Sequence, residues 1–264
     1  MEIKDIKFTE KYGPFALVAG GSYGLGGAYS EALAGRGLNL VIIARNRDKL
    51  EETAARLREK YGVEIKTLAL DLADFEKTKS LVGALDVSIG LLVYNAAFAP
   101  IGVVESISEE DLSQSVNVNV RTPLLLARML SAPMIKNKRG GIILMSSLAG
   151  TQGCPRLATY TATKSFNATL AEGLWKEMQP HGVDVLGCSP GAILTPGYQQ
   201  AEKSKPAPGT MTARDVAEET IKALGKGPIV TPGGFNKMAR FFLVRLMTRK
   251  AAIDMMAKTT GGLS

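Results

Sequence analysis

Residues that build disulfide frameworks and zinc sites are scarce in this chain of 264 residues. Its two cysteines, Cys154 and Cys188, are too few for a disulfide framework. Its one histidine, His181, leaves a zinc ion without enough nitrogen and sulfur ligands. We therefore predict that the protein has no metal site and works in a reducing compartment.

Long apolar runs are also missing. No stretch is long and apolar enough to form a transmembrane helix, and the opening MEIKDIKFTEKYG lacks the apolar core of a signal peptide. Basic residues outnumber acidic ones 32 to 25, but they are scattered along the chain and form no long run. Scattered charge favours small polyanionic ligands over nucleic acid, so we expect no nucleic-acid partner. Because the sequence shows neither a signal peptide nor a transmembrane segment, we also expect a cytoplasmic protein.

What the chain does have is a regular alternation of short apolar runs and longer amphipathic segments. Continuous apolar strands joined by helices imply a parallel sheet that is covered on both faces. We predict one α/β domain over residues 1–264 with about seven strands, although a closed eight-strand barrel also fits this alternation. The predicted strands are 15–20, 38–44, 63–70, 89–97, 140–147, 183–191 and 227–233, and the main predicted helices are 26–37, 46–62, 74–85 and 158–178.

A glycine-rich turn, GGSYGLGG at residues 20–27, connects the first strand to the first of these helices. Glycine at Gly20, Gly24 and Gly26 allows positive backbone torsions and a close approach of the backbone to a ligand. The N-terminus of the following helix offers free N–H groups to a phosphate. The turn therefore favours a dinucleotide-binding, Rossmann-type doubly wound sheet over the barrel, the alternative being a turn selected only for packing.

The second predicted strand ends in Ala44-Arg45-Asn46, with no acidic side chain. An acid at this place accepts hydrogen bonds from the ribose hydroxyls of NAD, whereas a guanidinium matches a 2′-phosphate. We therefore predict NADP(H) as the cofactor, with Arg45 as a solvated residue at a helix start as the alternative.

A tyrosine and a lysine lie four residues apart in YTATK, as Tyr160 and Lys164, and a serine pair, Ser146 and Ser147, precedes them. Residues at this spacing project from one face of a helix. An ammonium beside a phenol lowers the pKa of the phenol, which makes it a better base. Such a pair is common on helix surfaces, so its meaning depends on the other motifs.

Taken together, these motifs resemble the short-chain dehydrogenase/reductase family over nearly the whole chain, and more loosely its branch of hydroxysteroid dehydrogenases and long-chain 3-ketoacyl reductases. The resemblance implies that Tyr160 donates or accepts the proton and that Ser147, rather than Ser146, polarises the substrate oxygen. It implies that Lys164 also binds the nicotinamide ribose and that Asn119 holds a water that relays protons. The cofactor-binding residues it implies are Gly20, Ser22, Tyr23, Gly24, Leu25, Arg45, Asn46, Asp71, Leu72, Asn95, Ala96, Tyr160, Lys164, Pro190, Gly191, Ile193 and Thr195.

We accordingly expect an enzyme that interconverts a hydrophobic ketone and a secondary alcohol with NADP(H), with a steroid-like substrate favoured. The first alternative is a reductase of 3-oxoacyl thioesters of the fatty-acid type. The second is a non-catalytic regulator that binds NADP(H). The resemblance further implies a homodimer or a homotetramer.

Two segments are expected on the substrate side. The Pro/Gly/Lys-rich loop 192–211 corresponds to a substrate cover, and the expected pocket wall consists of Tyr198, Pro100–Val104 and Cys154–Leu157. The segment 235–258 is amphipathic and basic. We expect it to pack over the substrate mouth or a neighbouring subunit, with peripheral membrane contact as the alternative.

Overall fold

The computed structural model describes residues 5–194 and 207–260 and confirms the predicted α/β class. The strands are β1 Phe15–Ala19, β2 Asn39–Ala44, β3 Ile65–Ala69, β4 Ile89–Tyr94, β5 Gly140–Met145, β6 Val183–Cys188, β7 Ile193–Leu194, β8 Met211–Thr212 and β9 Ile229–Val230. The helices are α1 Ile6–Tyr12, α2 Gly24–Gly35, α3 Arg47–Tyr61, α4 Phe75–Gly83, α5 Glu109–Val116, α6 Thr122–Lys136, α7 Ala158–Met178, α8 Ala213–Ala223, α9 Gly234–Phe241 and α10 Arg249–Thr260. Among these residues, no helix combines the length and the apolar character needed to cross a bilayer.

Seven strands form one parallel sheet in the order β3-β2-β1-β4-β5-β6-β9. The strand order reverses between β1 and β4. The connection that leaves β1 therefore runs toward one edge of the sheet, and the connection that leaves β4 runs toward the other. Because all seven strands are parallel, their carboxyl ends meet at one edge of the sheet. Ligands of open α/β sheets bind in the crevice that this reversal creates.

Each face of the sheet carries its own apolar core. Alternate strand residues such as Val18 and Ile42 face α2, α3 and α8, while Leu17 and Val41 face α4, α6 and α7. Both sets are fully buried, which explains why the strands read as continuous apolar runs.

The predicted elements differ from the observed ones mainly at the carboxyl edge. The predicted strand 183–191 ends at Cys188, and the predicted strand 227–233 is reduced to β9, which pairs only with Gly187 and Cys188. Beyond Cys188 the Ser189 N–H still donates to the Val230 carbonyl at 2.8 Å, but Pro190 has no N–H with which to continue the ladder, and the backbone leaves the sheet. Helix α1 was not predicted; it begins at a cap in which Asp5 accepts a hydrogen bond from the Phe8 N–H at 3.1 Å.

From the sequence, Ser108 and Thr212, each followed three residues later by an aspartate, are predicted to start helices, and the structure confirms both starts. Ser108 accepts a hydrogen bond from the Asp111 N–H at 3.1 Å before α5, and Thr212 accepts one from the Asp215 N–H at 3.1 Å before α8. The helix that begins after Ser108 runs on to Lys136 but contains a π-helical turn over Asn117–Arg121, between α5 and α6. Such turns are rare and occur frequently at functional sites.

The glycine turn packs very closely against the backbone that follows β4. Gly20 has φ +76°, and a Cβ on it would lie 2.9 Å from the Ala96 backbone. A Cβ on Gly26 would lie 1.8 Å from the Gly20 carbonyl oxygen. Since the opposing atoms are backbone, the turn keeps this shape only with glycine at both positions.

We predict opposite effects for alanine at two neighbouring glycines of α2. Gly26→Ala places its methyl group on the Gly20 carbonyl and should lower the free energy of unfolding by more than about 2 kcal/mol. Gly27→Ala is the matched control, because its Cβ would meet nothing closer than 3.6 Å. Alanine there should stabilise the helix by about 0.5–1 kcal/mol. Urea denaturation of both variants measures the difference, and equal stabilities would contradict the close packing of the turn.

Candidate active site

The carboxyl edge of the sheet brings together residues that are far apart in sequence. The glycine turn follows β1, and Arg45 and Asn46 follow β2. The pairs Asp71–Leu72, Asn95–Ala96 and Pro190–Gly191 follow β3, β4 and β6. Ser147 follows β5, Ile193 begins β7, Asn119 lies in the π-helical turn, and Tyr160 and Lys164 lie in α7. Thr195 lies outside the described residues.

The turn after β1 offers a cradle for a phosphate. Helix α2 starts at Gly24, and the preceding Tyr23 makes no side-chain cap hydrogen bond, so its first N–H groups are available to an anion. Asn95 closes the other side of the turn by donating from Nδ2 to the Gly20 carbonyl at 3.2 Å. Glycine at Gly20 and Gly26 lets the turn fold tightly against the Ala96 and Gly20 backbone, and a turn of this shape before a helix N-terminus fits the pyrophosphate of a dinucleotide.

The residues after β2 form the outer end of the same crevice. Arg45 is exposed, while the Asn46 side chain accepts the Lys49 N–H at 2.9 Å and caps α3. The Lys49 ammonium lies 4.9 Å from the centroid of the exposed Tyr23 ring. Positive charge therefore borders the crevice where the sequence predicts the 2′-phosphate.

After β3, the Asp71 side chain accepts the Ala73 N–H at 2.9 Å, and the Leu72 carbonyl accepts a hydrogen bond from Thr122 Oγ1 at 2.7 Å. These contacts fix the loop on the side of the crevice where the resemblance places the adenine. Leu72 is buried and Asp71 half-buried.

The two serines after β5 have different surroundings. Ser146 is buried and donates its hydroxyl to the Lys164 backbone carbonyl at 2.7 Å, so its proton is used inside the fold. Ser147 is half-buried and accepts the Ala149 N–H at 3.2 Å. A hydrogen bond with the Ser147 side chain lowers the pKa of Tyr160, which places these two hydroxyls together. The arrangement favours Ser147 over Ser146 as the group facing a substrate oxygen.

Lys164 is buried beneath Tyr160, and its ammonium lies 5.6 Å from the centroid of the tyrosine ring. It donates to the Met145 carbonyl at 3.0 Å. Burial lowers the pKa of Lys164 to about 8, against the weaker opposing effect of Cys188.

The pKa of Tyr160 departs from the sequence expectation. We expected the Lys164 ammonium to lower it, but burial of the phenol raises it, and only the hydrogen bond with Ser147 acts in the other direction. The reason is that α7 buries both groups, and burial disfavours the charged form of each. Tyr160 is therefore held in its protonated form.

The amide oxygen and the amide NH₂ group of the Asn119 side chain both form hydrogen bonds within the protein. Its Oδ1 accepts the Phe98 N–H at 2.8 Å, and its Nδ2 donates to the Phe98 carbonyl at 2.7 Å and to Thr163 Oγ1 at 3.1 Å. The loop after β4 is thus held to the π-helical turn and to α7. The Asn119 backbone carbonyl has no regular helical donor, because the residue four positions on is Pro123, and it accepts a hydrogen bond from Asn167 Nδ2 at 3.1 Å.

Sequence reasoning missed two residues of this network. Thr163 bonds Asn119, and Asn167 donates from Nδ2 to the Asn119 backbone carbonyl at 3.1 Å. The available signal was the spacing: Asn167 follows Lys164 by three residues, so it lies on the same face of α7 as Lys164 and Tyr160.

The expected substrate side is apolar at its rim. Residues 100–104 and 154–157 are the parts of the expected pocket wall that the structure describes. A hydrogen bond from the Gly102 N–H to the Arg156 carbonyl, at 2.9 Å, joins them. Beside Gly102, Ile101, Val103 and Val104 are exposed. Tyr198 and positions 195–206 of the expected loop 192–211 lie outside the described residues.

The segment 235–258 forms most of α9, a π-helical turn over Phe242–Leu246, and most of α10, with a bend between the last two. Arg249 donates to the Thr151 carbonyl at 2.6 Å, which places α10 beside the short 3₁₀ turn that follows Ser147. Its large apolar side chains are exposed: Phe235, Met238, Phe241, Phe242, Val244, Leu246 and Met255. The segment therefore lies beside the turn that follows Ser147.

Comparison with known proteins places this geometry in context. The family model described as short chain dehydrogenase matches residues 14–206. A 7beta-hydroxysteroid dehydrogenase of Clostridium sardiniense is 30% identical over 235 residues, covering 88% of this chain and 90% of that protein. A very-long-chain 3-oxoacyl-CoA reductase of Phaeosphaeria nodorum is 31% identical over 267 residues, covering 94% of this chain and 76% of that protein.

Solved structures agree with the sequence comparison. A 7beta-hydroxysteroid dehydrogenase structure superposes with a TM-score of 0.88 at 29% identity, covering 94% of this chain and 98% of that chain. A short-chain dehydrogenase from Sphingobium yanoikuyae in complex with NADPH superposes with a TM-score of 0.76 at 26% identity, covering 89% and 97%.

We predict a pH-dependent stability cost from Lys164. Below pH 8 the lysine is charged in the folded and unfolded states, so folding must bury the charge. Between its folded pKa of about 8 and its usual 10.5, only the unfolded state keeps the proton, so stability rises with pH. Relative to Lys164→Met, the wild type should gain on the order of 3 kcal/mol of unfolding free energy across this range.

Urea denaturation at several pH values between 7 and 10.5 measures this difference. Lys176→Met is the matched control, because Lys176 lies exposed on the same helix and its removal should leave the slope with pH unchanged. Parallel curves for the wild type and Lys164→Met would contradict the buried charge.

Proposed function

Because the chain belongs to the short-chain dehydrogenase family, we propose that it transfers a hydride between NADP(H) and a hydrophobic ketone or secondary alcohol. The observation that carries the proposal is the convergence of Ser147, Tyr160, Lys164 and Asn119 at the carboxyl edge of the sheet, next to the glycine turn. Members of this family use a nicotinamide cofactor, and the turn fits one.

The protein residues supply the proton and orient the carbonyl. When bound, the cofactor supplies the hydride that adds to the carbonyl carbon. Tyr160, which burial keeps protonated, gives its hydroxyl proton to the oxygen that becomes the alcohol. Ser147 donates a hydrogen bond to the same oxygen and polarises the carbonyl before transfer. Lys164 lies below Tyr160 and stabilises the negative charge that the phenol acquires when it loses its proton.

The preference for NADP(H) rests on the residues after β2. Ala44 ends the strand without a carboxylate to bind ribose hydroxyls, and the guanidinium of Arg45 is exposed at the crevice. A guanidinium fork matches phosphate oxygens. The NADPH complex of the Sphingobium yanoikuyae enzyme is consistent with this choice.

A steroid-like ketone or alcohol is the favoured substrate. The exposed apolar side chains of residues 101–104 and of α9 border the site and suit a rigid hydrophobic ligand. The relative from Clostridium sardiniense is named a 7beta-hydroxysteroid dehydrogenase. A 3-oxoacyl thioester is the second candidate, because another relative is named a very-long-chain 3-oxoacyl-CoA reductase. A regulator that only binds NADP(H) would not need the buried Lys164 beneath Tyr160.

Several expectations stay predictions. They are the homodimer or homotetramer, the cytoplasmic location, the substrate cover at 192–211, and the packing role of 235–258 in place of a membrane contact.

We predict that Tyr160→Phe lowers turnover by about 100-fold or more, the scale expected for a positioned proton donor. The affinity for NADPH should stay within about twofold, because only a hydroxyl is removed. The measurement is NADPH consumption with a panel of steroid ketones, 3-oxoacyl thioesters and small ketones.

The panel also separates the three functions. Consumption with steroids alone supports the favoured substrate, and consumption with thioesters supports the second candidate. NADPH binding without consumption of any ketone would leave the regulator. Turnover in Tyr160→Phe equal to the wild type would remove this residue from the mechanism.

We predict that Arg45→Ala weakens NADPH binding by about 1–3 kcal/mol, because a charged partner of the 2′-phosphate is lost. NADH lacks that phosphate and is the internal control, so its dissociation constant should not change. Titration calorimetry with both cofactors measures the two effects. Equal losses for NADPH and NADH would show that Arg45 acts on the fold and not on the phosphate.

A further inference from the structure

We propose that Asn167 is a positioning residue of the proton relay, holding a water between its own amide oxygen and the backbone carbonyl of Asn119 beside Lys164. The proposal rests on the proposed function. It assigns a role to a side chain outside the Ser147, Tyr160, Lys164 and Asn119 set.

Asn167 is 2% exposed and reaches out of its own helix to two other elements. Its Nδ2 donates to the Asn119 carbonyl in the π-helical turn at 3.1 Å and lies 3.4 Å from the Met145 carbonyl at the end of β5. The Met145 carbonyl also accepts the Lys164 ammonium at 3.0 Å. Asn167 and Lys164 therefore share one acceptor.

The orientation of the amide follows from these partners. Both carbonyls are acceptors, so the amide must present its NH₂ group to them, and a flipped amide would place three oxygens together. Asn167 Oδ1 then points elsewhere. It is buried and accepts no hydrogen bond from any residue in 5–194 or 207–260. A buried acceptor left without a donor costs about 1–3 kcal/mol.

Other buried polar side chains of α7 behave differently. Thr161 and Thr163 donate to carbonyls of their own helix, at Ala158 and Tyr160 respectively. These bonds need nothing from outside α7. Of these three side chains, only Asn167 hydrogen-bonds to other elements through its own donor, because its Nδ2 donates to carbonyls of the π-helical turn and of β5.

A water is the group that this arrangement accommodates. The Asn119 carbonyl has two lone pairs, and Asn167 uses one of them. The second lone pair and Asn167 Oδ1 are both acceptors, so they suit a molecule with two O–H donors. Water provides both and keeps its own lone pairs for the Lys164 ammonium.

The relay balances in protons. Tyr160 gives one proton to the substrate oxygen and becomes a tyrosinate. Lys164 gives one proton toward the tyrosinate. The water then turns one of its O–H groups from a carbonyl acceptor toward the resulting amine and gives it that proton. The water regains a proton from solvent. Each turnover of reduction thus consumes one solvent proton, and Asn167 orders the water without exchanging a proton itself.

Two variants distinguish this role from core packing. Asn167→Leu keeps the number of side-chain heavy atoms and their branching but removes the amide, whereas Asn167→Ser leaves a hydroxyl and room for a second water. If Asn167 orders the relay, Asn167→Leu should lower turnover by about tenfold with KM unchanged and should increase the solvent deuterium isotope effect. Asn167→Ser should retain turnover within about threefold. A packing role predicts the reverse order, because serine leaves a cavity.

Thr78→Val is the control for loss of a remote buried hydrogen bond. Thr78 is buried in α4 and donates to the Asp74 carbonyl at 2.8 Å, so its variant should lose stability but keep the turnover and isotope effect of the wild type. Wild-type turnover in Asn167→Leu, or greater loss in Asn167→Ser, would overturn the proposal.

A high-resolution crystal structure of the cofactor-free protein gives a readout that needs no turnover. We expect a water within hydrogen-bonding distance of Asn167 Oδ1 and the Asn119 carbonyl, and its loss in Asn167→Leu. The absence of that water from the wild type would overturn the proposal. Failure of every ketone to consume NADPH would refute the proposed function instead, and the crystal structure would still decide the hydration of Asn167.

Discussion

A lysine ammonium buried at the carboxyl edge of the sheet is the feature on which the site depends. Its charge is removed from water, and within residues 5–194 and 207–260 the Met145 backbone carbonyl is the hydrogen-bond acceptor that meets it. Burial of this charge opposes folding, and it is tolerated because the fold supplies an oriented acceptor at the end of β5. The surrounding elements must therefore hold three things in fixed positions around the lysine. These are the Met145 carbonyl, the Tyr160 side chain and the π-helical turn.

The network around the lysine includes backbone that departs from a regular α-helix, the π-helical turn over Asn117–Arg121. In a regular helix the Asn119 carbonyl would pair with the N–H of residue 123, but residue 123 is a proline and has none. The Asn119 carbonyl accepts a hydrogen bond from Asn167 Nδ2 instead, while the Asn119 side chain ties the loop after β4 in place through Phe98. One residue thus contributes its side chain to the structure and its backbone to the site.

Much of the fold was predictable from sequence because the responsible signals are local. Apolar runs predicted the strands, and the capping side chains of Ser108 and Thr212 predicted two helix starts. The glycine turn between the first strand and a helix favoured the doubly wound sheet over the barrel. The π-helical turn was not predictable, because its residues have the same helical spacing as their neighbours. The direction in which the pKa of Tyr160 shifts was not predictable either. Spacing along a helix shows that Lys164 is a neighbour of Tyr160, but it does not show how far either side chain is withdrawn from water.

In the unliganded site, the surroundings of Tyr160 and Lys164 shift the pKa values of the two groups in opposite directions. Burial raises the pKa of the Tyr160 phenol and lowers that of the Lys164 amine, so the phenol holds its proton more firmly and the amine releases its proton more readily. A protonated phenol is the acid that reduction of a ketone requires, whereas oxidation of an alcohol requires the tyrosinate. A positive charge arriving next to the phenol, such as that of an oxidised nicotinamide ring, stabilises the tyrosinate. The charge state of the bound cofactor and the protonation state of Tyr160 are therefore coupled: the neutral, reduced ring leaves the acid in place, and the cationic, oxidised ring favours the base.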